Sequence, residues 1–144
     1  MLIEQAKNQR DRIAAILSAE KLPVDDLPET LDNFLVAKEN GQFIGVIGLE
    51  IYGAHGLLRS LAVLPAYRSN GVAGKLIERL ESLAVLKGLK ALYLLTETAP
   101  EYFAGKAFQR ITRDEVPDEV KQSTEFNHVC PISAIVMKKS ISQI

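Results

Sequence analysis

The sequence predicts a mixed α/β domain, and three observations point to it. Extended, β-branched stretches alternate along the chain with stretches whose apolar residues recur at helical spacing, the pattern of strand–helix–strand units. A glycine-bearing turn at Arg68 to Gly74 leads from an apolar strand into the longest helical stripe, and such a unit closes as a parallel strand pair with a crossover helix. Finally, the 144 residues are 47% apolar, enough for one substantial core and too few for two ordinary domains. One domain over residues 1–144 is expected, since no repeat, low-complexity tract or Pro/Gly/Ser-rich linker marks a boundary.

Taken in order, Leu2 to Glu4 reads as a short strand, and Ile13, Ala14, Ile16, Leu17 and Ala19 set out a helix over Asn8 to Glu20 that Leu22-Pro23 closes. Phe34 to Ala37 runs into Asn40-Gly41, a dipeptide suited to a type I′ turn because both positions take positive φ, and Phe43 to Tyr52 resumes the extended pattern. After a break at Gly53 to Gly56, the near-continuous apolar run Leu57 to Val63 belongs at the sheet centre, covered on both faces. Beyond the glycine turn, Ala73, Leu76, Ile77, Leu80, Leu83 and Ala84 form one helical stripe and Lys75, Glu78, Arg79 and Glu81 the opposite one, until Gly88 supplies a stop. Lys90 to Thr96 reads as a strand, Pro100 to Lys106 as a short helix and Phe108 to Arg113 as another strand. Val116 to His128 reads as a partly helical excursion, and Ala134 to Lys139 ends the sheet.

Charge excludes some partners. Seventeen basic residues against eighteen acidic ones leave a net charge of -1, so no global field recruits a phosphate backbone or an anionic lipid surface, and nucleic acid is not expected as a partner. Acids and bases scattered through Met1 to Glu20 interrupt any signal-peptide core, and no apolar run approaches the roughly 20 residues needed to cross a bilayer. No membrane is expected, and the location is read as cytoplasmic. The lone Cys130 cannot form an internal disulfide and is no zinc site by itself, which fits a reducing compartment and no metal.

Chemistry concentrates at Arg68-Ser69-Asn70-Gly71-Val72-Ala73-Gly74. Gly71 and the small Ala73 and Gly74 let backbone approach a bulky anion, and the free amides of a helix N-terminus beginning near Val72 point at it with the positive end of the dipole. Arg68 adds a guanidinium whose geometry matches phosphate oxygens, so a pyrophosphate fits this turn. The turn is not a P-loop, because no Gly-Lys-Ser/Thr closes it, and not a dinucleotide fingerprint, because the Gly-x-Gly-x-x-Gly spacing is missing.

What the turn resembles is the Arg/Gln-x-x-Gly-x-Gly/Ala motif of the GCN5-related N-acetyltransferase superfamily, directly after a Leu-Ala-Val-x-Pro-x-Tyr-Arg strand exit, and the likeness covers at least Phe34 to Arg113. The resemblance implies a mixed central sheet of about six to seven strands flanked by about four helices, with acetyl-coenzyme A as cosubstrate. It implies further that Leu61, Ala62 and Val63 pair with the pantetheine arm while Arg68 to Gly74 hold the pyrophosphate, and that terminal strands pair two copies in a homodimer. Within the superfamily the sequence is similar to the arsenic-resistance acetyltransferase group and to amino-acid N-acetyltransferases of the N-acetylglutamate synthase kind. Gly48 to Gly53, Leu58 to Val63, Leu94 to Pro100 and Cys130 to Ala134 carry that likeness. It implies acetyl transfer to the primary amine of a small amino-acid-like acceptor, including an arsenic-containing one. Protein N-acetylation and non-catalytic acyl-coenzyme A sensing are the alternatives.

Such a transfer needs a neutral amine, donors for an oxyanion and an acid for the departing thiolate. The superfamily commonly supplies the acid as a tyrosine; the matching position here is Phe103, and the glycine expected downstream is Ala107, while Tyr102 lies about 100° around the helix. Glu50, at a strand end, and Glu97, just after one, are candidate bases, with a solvated carboxylate as the plainer reading of each. Arg59 interrupts an apolar central strand, where a guanidinium must be paired or face a polar cavity; it is either a bidentate clamp for an acceptor carboxylate or half of an internal ion pair with an acid such as Glu50 or Glu97. His55 reads as an exposed loop histidine, Tyr93 as core, and Glu101, Asp114 and Glu115 as surface charges. His128 and Cys130 lie close in sequence, but direct transfer needs no acyl-cysteine, and one thiol cannot supply the several soft ligands an arsenic centre favours.

Overall fold

A computed structural model describes residues 1–123, 126 and 134–141. Its elements in chain order are β1 (Leu2–Gln5), α1 (Arg10–Ala19), β2 (Phe34–Glu39), β3 (Gln42–Tyr52), β4 (His55–Val63), α2 (Val72–Leu86), β5 (Ala91–Thr96), α3 (Pro100–Ala104), β6 (Gln109–Ile111), α4 (Asp118–Lys121) and β7 (Ile135–Ser140). The seven strands follow the sheet order β1-β2-β3-β4-β5-β7-β6, and β4 and β5 are parallel with α2 between them in sequence, as the strand–turn–helix pattern requires.

Two compact units emerge from the chain. The first holds Met1–Leu49 and Arg59–Ser82. Its β1–β2 and β2–β3 ladders are antiparallel, and the second turns on Asn40 and Gly41, whose φ of 51° and 81° are those of the expected type I′ hairpin. Ile13, Ile16 and Leu17 of α1 join Leu27, Leu31, Phe34, Val36, Phe43 and Val46 in one buried cluster. On α2, Leu76, Ile77 and Leu80 are buried. Gly45 admits the helix: a Cβ there would stand 3.2 Å from both the Ala62 carbonyl oxygen and Leu76 Cδ1 and 3.4 Å from Val72 Cγ1, so glycine sets how closely the start of α2 approaches the sheet.

The second unit holds Glu50–Leu58 and the described residues from Leu83 onward. Leu57, Ala91, Tyr93, Val116, Val120, Phe126 and Val136 form its core. Strand β7 pairs antiparallel with both β5 and β6. The parallel β4–β5 ladder runs His55↔Ala91, Gly56↔Leu92 and Leu57↔Tyr93.

Helix ends and strand ends show where local sequence was sufficient and where it was not. Gly88, φ 79°, terminates α2 with the Leu89 amide donating to Ala84 O and the Gly88 amide to Val85 O, the paired bonds of a Schellman motif. The same bonds close α1 around Lys21, φ 61°, as the Leu22 amide reaches Leu17 O and the Lys21 amide Ser18 O. Helix α1 is thus shorter than expected at both ends, Asn8 lying outside it at φ 48°. The break before β4 contracts to Gly53-Ala54, because His55 and Gly56 are drawn into the parallel ladder. Strand β6 contracts to Gln109–Ile111, because Thr112 starts a 3₁₀ turn in which its backbone N–H and hydroxyl both donate to the Glu115 carboxylate. Those bonds, backbone first, hold the Glu115 carboxyl below its usual range.

Two stability predictions follow from these geometries. A Cβ on Gly48 would meet the Phe34 ring at 2.5 Å, so Gly48→Ala lowers the unfolding free energy by about 1–3 kcal/mol in urea titration, and Phe34→Leu in the same background recovers part of the loss. Ala107, φ 73°, closes a third Schellman motif, the Phe108 amide donating to Phe103 O and the Ala107 amide to Ala104 O. The left-handed region costs an L-residue about 1–2 kcal/mol and glycine's greater unfolded entropy returns about half, so Ala107→Gly raises stability by about 0.5–1 kcal/mol.

Candidate active site

The glycine-bearing turn lies in the first unit, where β4 runs out toward α2. Ser69 and Gly71 both take positive φ, 67° and 81°. Alternation of left-handed residues with ordinary ones curls successive amides toward one point, the backbone concavity that takes anions. Gly71 O accepts from the Lys75 amide at 3.1 Å, which starts α2 and leaves the amides of Val72, Ala73 and Gly74 without intrahelical acceptors. A Cβ on Gly71 would find nothing within 4 Å, and Ser69, Asn70 and Gly71 are all exposed. Open space, convergent amides and the positive end of a 15-residue helix therefore coincide at the stretch the sequence singled out.

Arg68 stands at the mouth of this turn. Its Nε donates to Val63 O at 3.1 Å, and its NH2 forms an ion pair with Glu20 at the C-terminus of α1. A groove of about 630 Å³ opens beside the turn, lined among others by Tyr67, Asn70, Val72, Lys75 and Arg79.

Further back along β4, Ser60 takes a left-handed φ of 58° within the strand, and its hydroxyl oxygen accepts from Arg59 Nε at 2.9 Å. Leu61, Ala62 and Val63, the segment matched to the pantetheine strand, follow it; Leu61 is half-buried, the other two buried. Arg59 has 0% side-chain exposure. Of its two expected roles, the internal ion pair is the one formed, with an acid the sequence did not single out. Its NH1 and NH2 meet the Asp26 carboxylate at 2.9 and 2.8 Å in the bidentate fork, and NH1 also reaches Asp26 O at 3.2 Å. No local sequence signal marks Asp26, which lies 33 residues away. Arg10 holds the next turn of the same loop, donating to the carbonyls of Leu27, Pro28 and Glu29.

In the second unit, Glu50 is half-buried near the end of β3 and accepts a hydrogen bond from the Tyr52 hydroxyl. Strand alternation puts positions 50 and 52 on one face, so Tyr52 was within reach of sequence reasoning and was missed. Glu97 is exposed, in keeping with a solvated carboxylate. Phe103 is 7% exposed and stacks edge-on against Phe108 and Tyr102, a packing role with no proton to give. Tyr102 is 40% exposed, and partial burial pushes its phenol above the ordinary value, so it stays protonated at neutral pH.

His55 departs from the expected exposed loop residue. It begins β4, half-buried, with its ring edge-on to Tyr93 at 5.8 Å, because the parallel ladder extends two residues further back than the glycines suggested. Tyr93 is core as expected, and Glu101, Asp114 and Glu115 are exposed. His128 and Cys130 lie outside the described residues. Among the described residues no helix is long and apolar enough to cross a membrane, and no three His, Cys, Asp or Glu side chains gather as a metal-ligand cluster.

Known proteins share this architecture. The solved N-acetylglutamate synthase of Neisseria gonorrhoeae, complexed with coenzyme A and N-acetyl-glutamate, superposes with a TM-score of 0.83 at 22% identity, covering 98% of this chain and 35% of that one. A Mycobacterium tuberculosis protein solved with coenzyme A gives 0.84 at 21% identity over 99% of this chain and all (100%) of the other. At such identities the likeness is one of fold. In sequence, an uncharacterised N-acetyltransferase of Chlorobaculum tepidum is 28% identical over 101 residues, 69% of this chain and 64% of that protein. An amino-acid acetyltransferase of Pseudomonas fluorescens is 32% identical over 93 residues, 63% of this chain but only 22% of the relative. The family model described as acetyltransferase (GNAT) matches residues 5–110, from β1 through the turn before α2 to β6, and the chain belongs to that family.

Proposed function

We propose that this chain transfers the acetyl group of acetyl-coenzyme A to the primary amine of a small amino-acid-like acceptor. The observation that carries the cofactor half is the turn itself: left-handed Ser69 and Gly71, open space over Gly71, and the free amides at the start of α2. Arg68, Ser69, Asn70, Gly71, Val72, Ala73 and Gly74 would cradle the pyrophosphate, and the backbone of Leu61 to Val63, just past the left-handed Ser60, would pair with the pantetheine arm. Coenzyme A in the solved Neisseria and Mycobacterium proteins, and N-acetyl-glutamate in the former, support this reading, as do the amino-acid acetyltransferases among the relatives.

In the reaction the acceptor nitrogen attacks the thioester carbonyl, a C–N bond forms, and the resulting oxyanion collapses with cleavage of the C–S bond. Glu50, oriented by the Tyr52 hydroxyl, is the proposed acceptor of the proton the amine sheds. The departing sulfur has a free thiol pKa near 8.5 and needs little help, and Phe103 has no proton to give. Arg59 serves this site from within: its buried pair with Asp26 ties the segment between α1 and β2 to β4 immediately before the pantetheine strand. Direct clamping of an acceptor carboxylate by Arg59 requires that carboxylate to take the place of Asp26. That engagement favours a second reading, in which the acceptor is a peptide or protein amine recognised without a carboxylate anchor.

Thiol release from acetyl-coenzyme A separates these readings on a panel of α-amino acids, arsenic-containing analogues and short peptides. Turnover on an α-amino acid is expected. Activity confined to peptides would support the second reading, and calorimetric coenzyme A binding with no turnover would identify an acyl-coenzyme A sensor. For the turn, Gly71→Ala is expected to raise KM for acetyl-coenzyme A roughly tenfold, the loss of about one charge-assisted hydrogen bond, with kcat little changed.

A further inference from the structure

Arg68, the side chain assigned above to the pyrophosphate, already has an anionic partner. The Glu20 carboxylate pairs with its NH2, while Nε is committed to Val63 O at 3.1 Å. Val63 fixes the plane of the guanidinium at the end of β4, and Glu20 occupies donors a phosphate would want.

The position of Glu20 has no explanation in the helix it belongs to. Glu20 is the C-cap of α1, its amide donating to Ile16 O and Leu17 O, and the last turn of α1 carries no basic residue. A carboxylate there faces the negative end of the helix dipole, the wrong sign for helix stability. What compensates it is Arg68, across a contact with that guanidinium side chain 55% exposed and the Glu20 side chain 13% exposed.

We propose that Glu20 is a positioning residue of the cofactor site that sets its affinity: it holds Arg68 in place as a resident counter-anion, and the pyrophosphate binds by exchanging for it. An ion pair with a half-exposed partner is weak, whereas a pyrophosphate takes the guanidinium fork bidentately and carries more charge, so the exchange runs toward the cofactor. Once exchanged, the Glu20 carboxylate is left beside phosphate charge and at the negative end of α1. That repulsion weakens coenzyme A binding and speeds release of the product. The inference rests on the cofactor reading above.

The test compares wild type, Glu20→Gln and Glu20→Asp with acetyl-coenzyme A and with acetyl-pantetheine, which has the same thioester and no phosphate. Calorimetric binding of coenzyme A is measured alongside, with melting temperature as a check on folding. Glu20→Gln is expected to lower Kd and KM for the phosphate-bearing ligand about fivefold, the scale of a surface charge contact, to leave acetyl-pantetheine kinetics unchanged, and to have a smaller effect in an Arg68→Gln background, where only the repulsion is relieved. The charge-preserving Glu20→Asp stays near wild type. An unchanged or weakened coenzyme A affinity in a folded Glu20→Gln protein overturns the proposal, as does an equal change with acetyl-pantetheine, which a merely structural contact would give. Failure of the wild type to bind coenzyme A at all sinks the cofactor reading itself and this inference with it.

Discussion

A guanidinium with no exposed surface constrains much of the first unit. Arg59 sits mid-strand among apolar neighbours, where an unpaired charge costs several kcal/mol, so the chain must deliver an anion to it. Asp26 is that anion, and bringing it in requires the segment after α1 to fold back onto β4. The same guanidinium donates to the backbone of Asp26 and to the hydroxyl of Ser60, which is left-handed within the strand. Arg10 then binds three consecutive carbonyls of the loop, so two arginines hold an otherwise irregular segment.

Function-bearing geometry is downstream of that constraint. Past Ser60, β4 delivers Leu61 to Val63 and then a turn with left-handed Ser69 and Gly71, open space lying over Gly71. Gly45 determines how near the start of α2 comes to the strands, and hence where its unpaired amides lie. Arg68 and Glu20 join the end of β4 to the end of α1, so the loop is tied at Glu20 as well as at Asp26. In the second unit the chemistry is sparser: a carboxylate oriented by a tyrosine, and an aromatic cluster in which Phe103 has become packing.

Much of this was legible locally. Asn40-Gly41 and Gly88 name their conformations, because so few residues tolerate positive φ, and the apolar stripe of α2 follows from helical spacing alone. The positive φ of Gly71 was legible for the same reason. Lys21 at the end of α1 was not, since lysine carries no bias toward the left-handed region; the hydrogen bonds of the helix end put it there. His55 was read as a loop residue because its neighbouring glycines signal a break, yet the ladder to β5 reaches back past Gly56 and takes it into the sheet.

By itself, then, the sequence determined the alternation of strands and helices, the glycine turn that opens α2, and the need for Arg59 to be paired or to face a polar cavity, because each depends on residues near in sequence or on the desolvation of a single charge. Which acids answer the two arginines was decided only by the tertiary structure. Asp26 and Glu20 are two among eighteen acidic residues, indistinguishable by composition or spacing. They become partners through the docking of α1 and its following loop, a long-range packing event with no local signature.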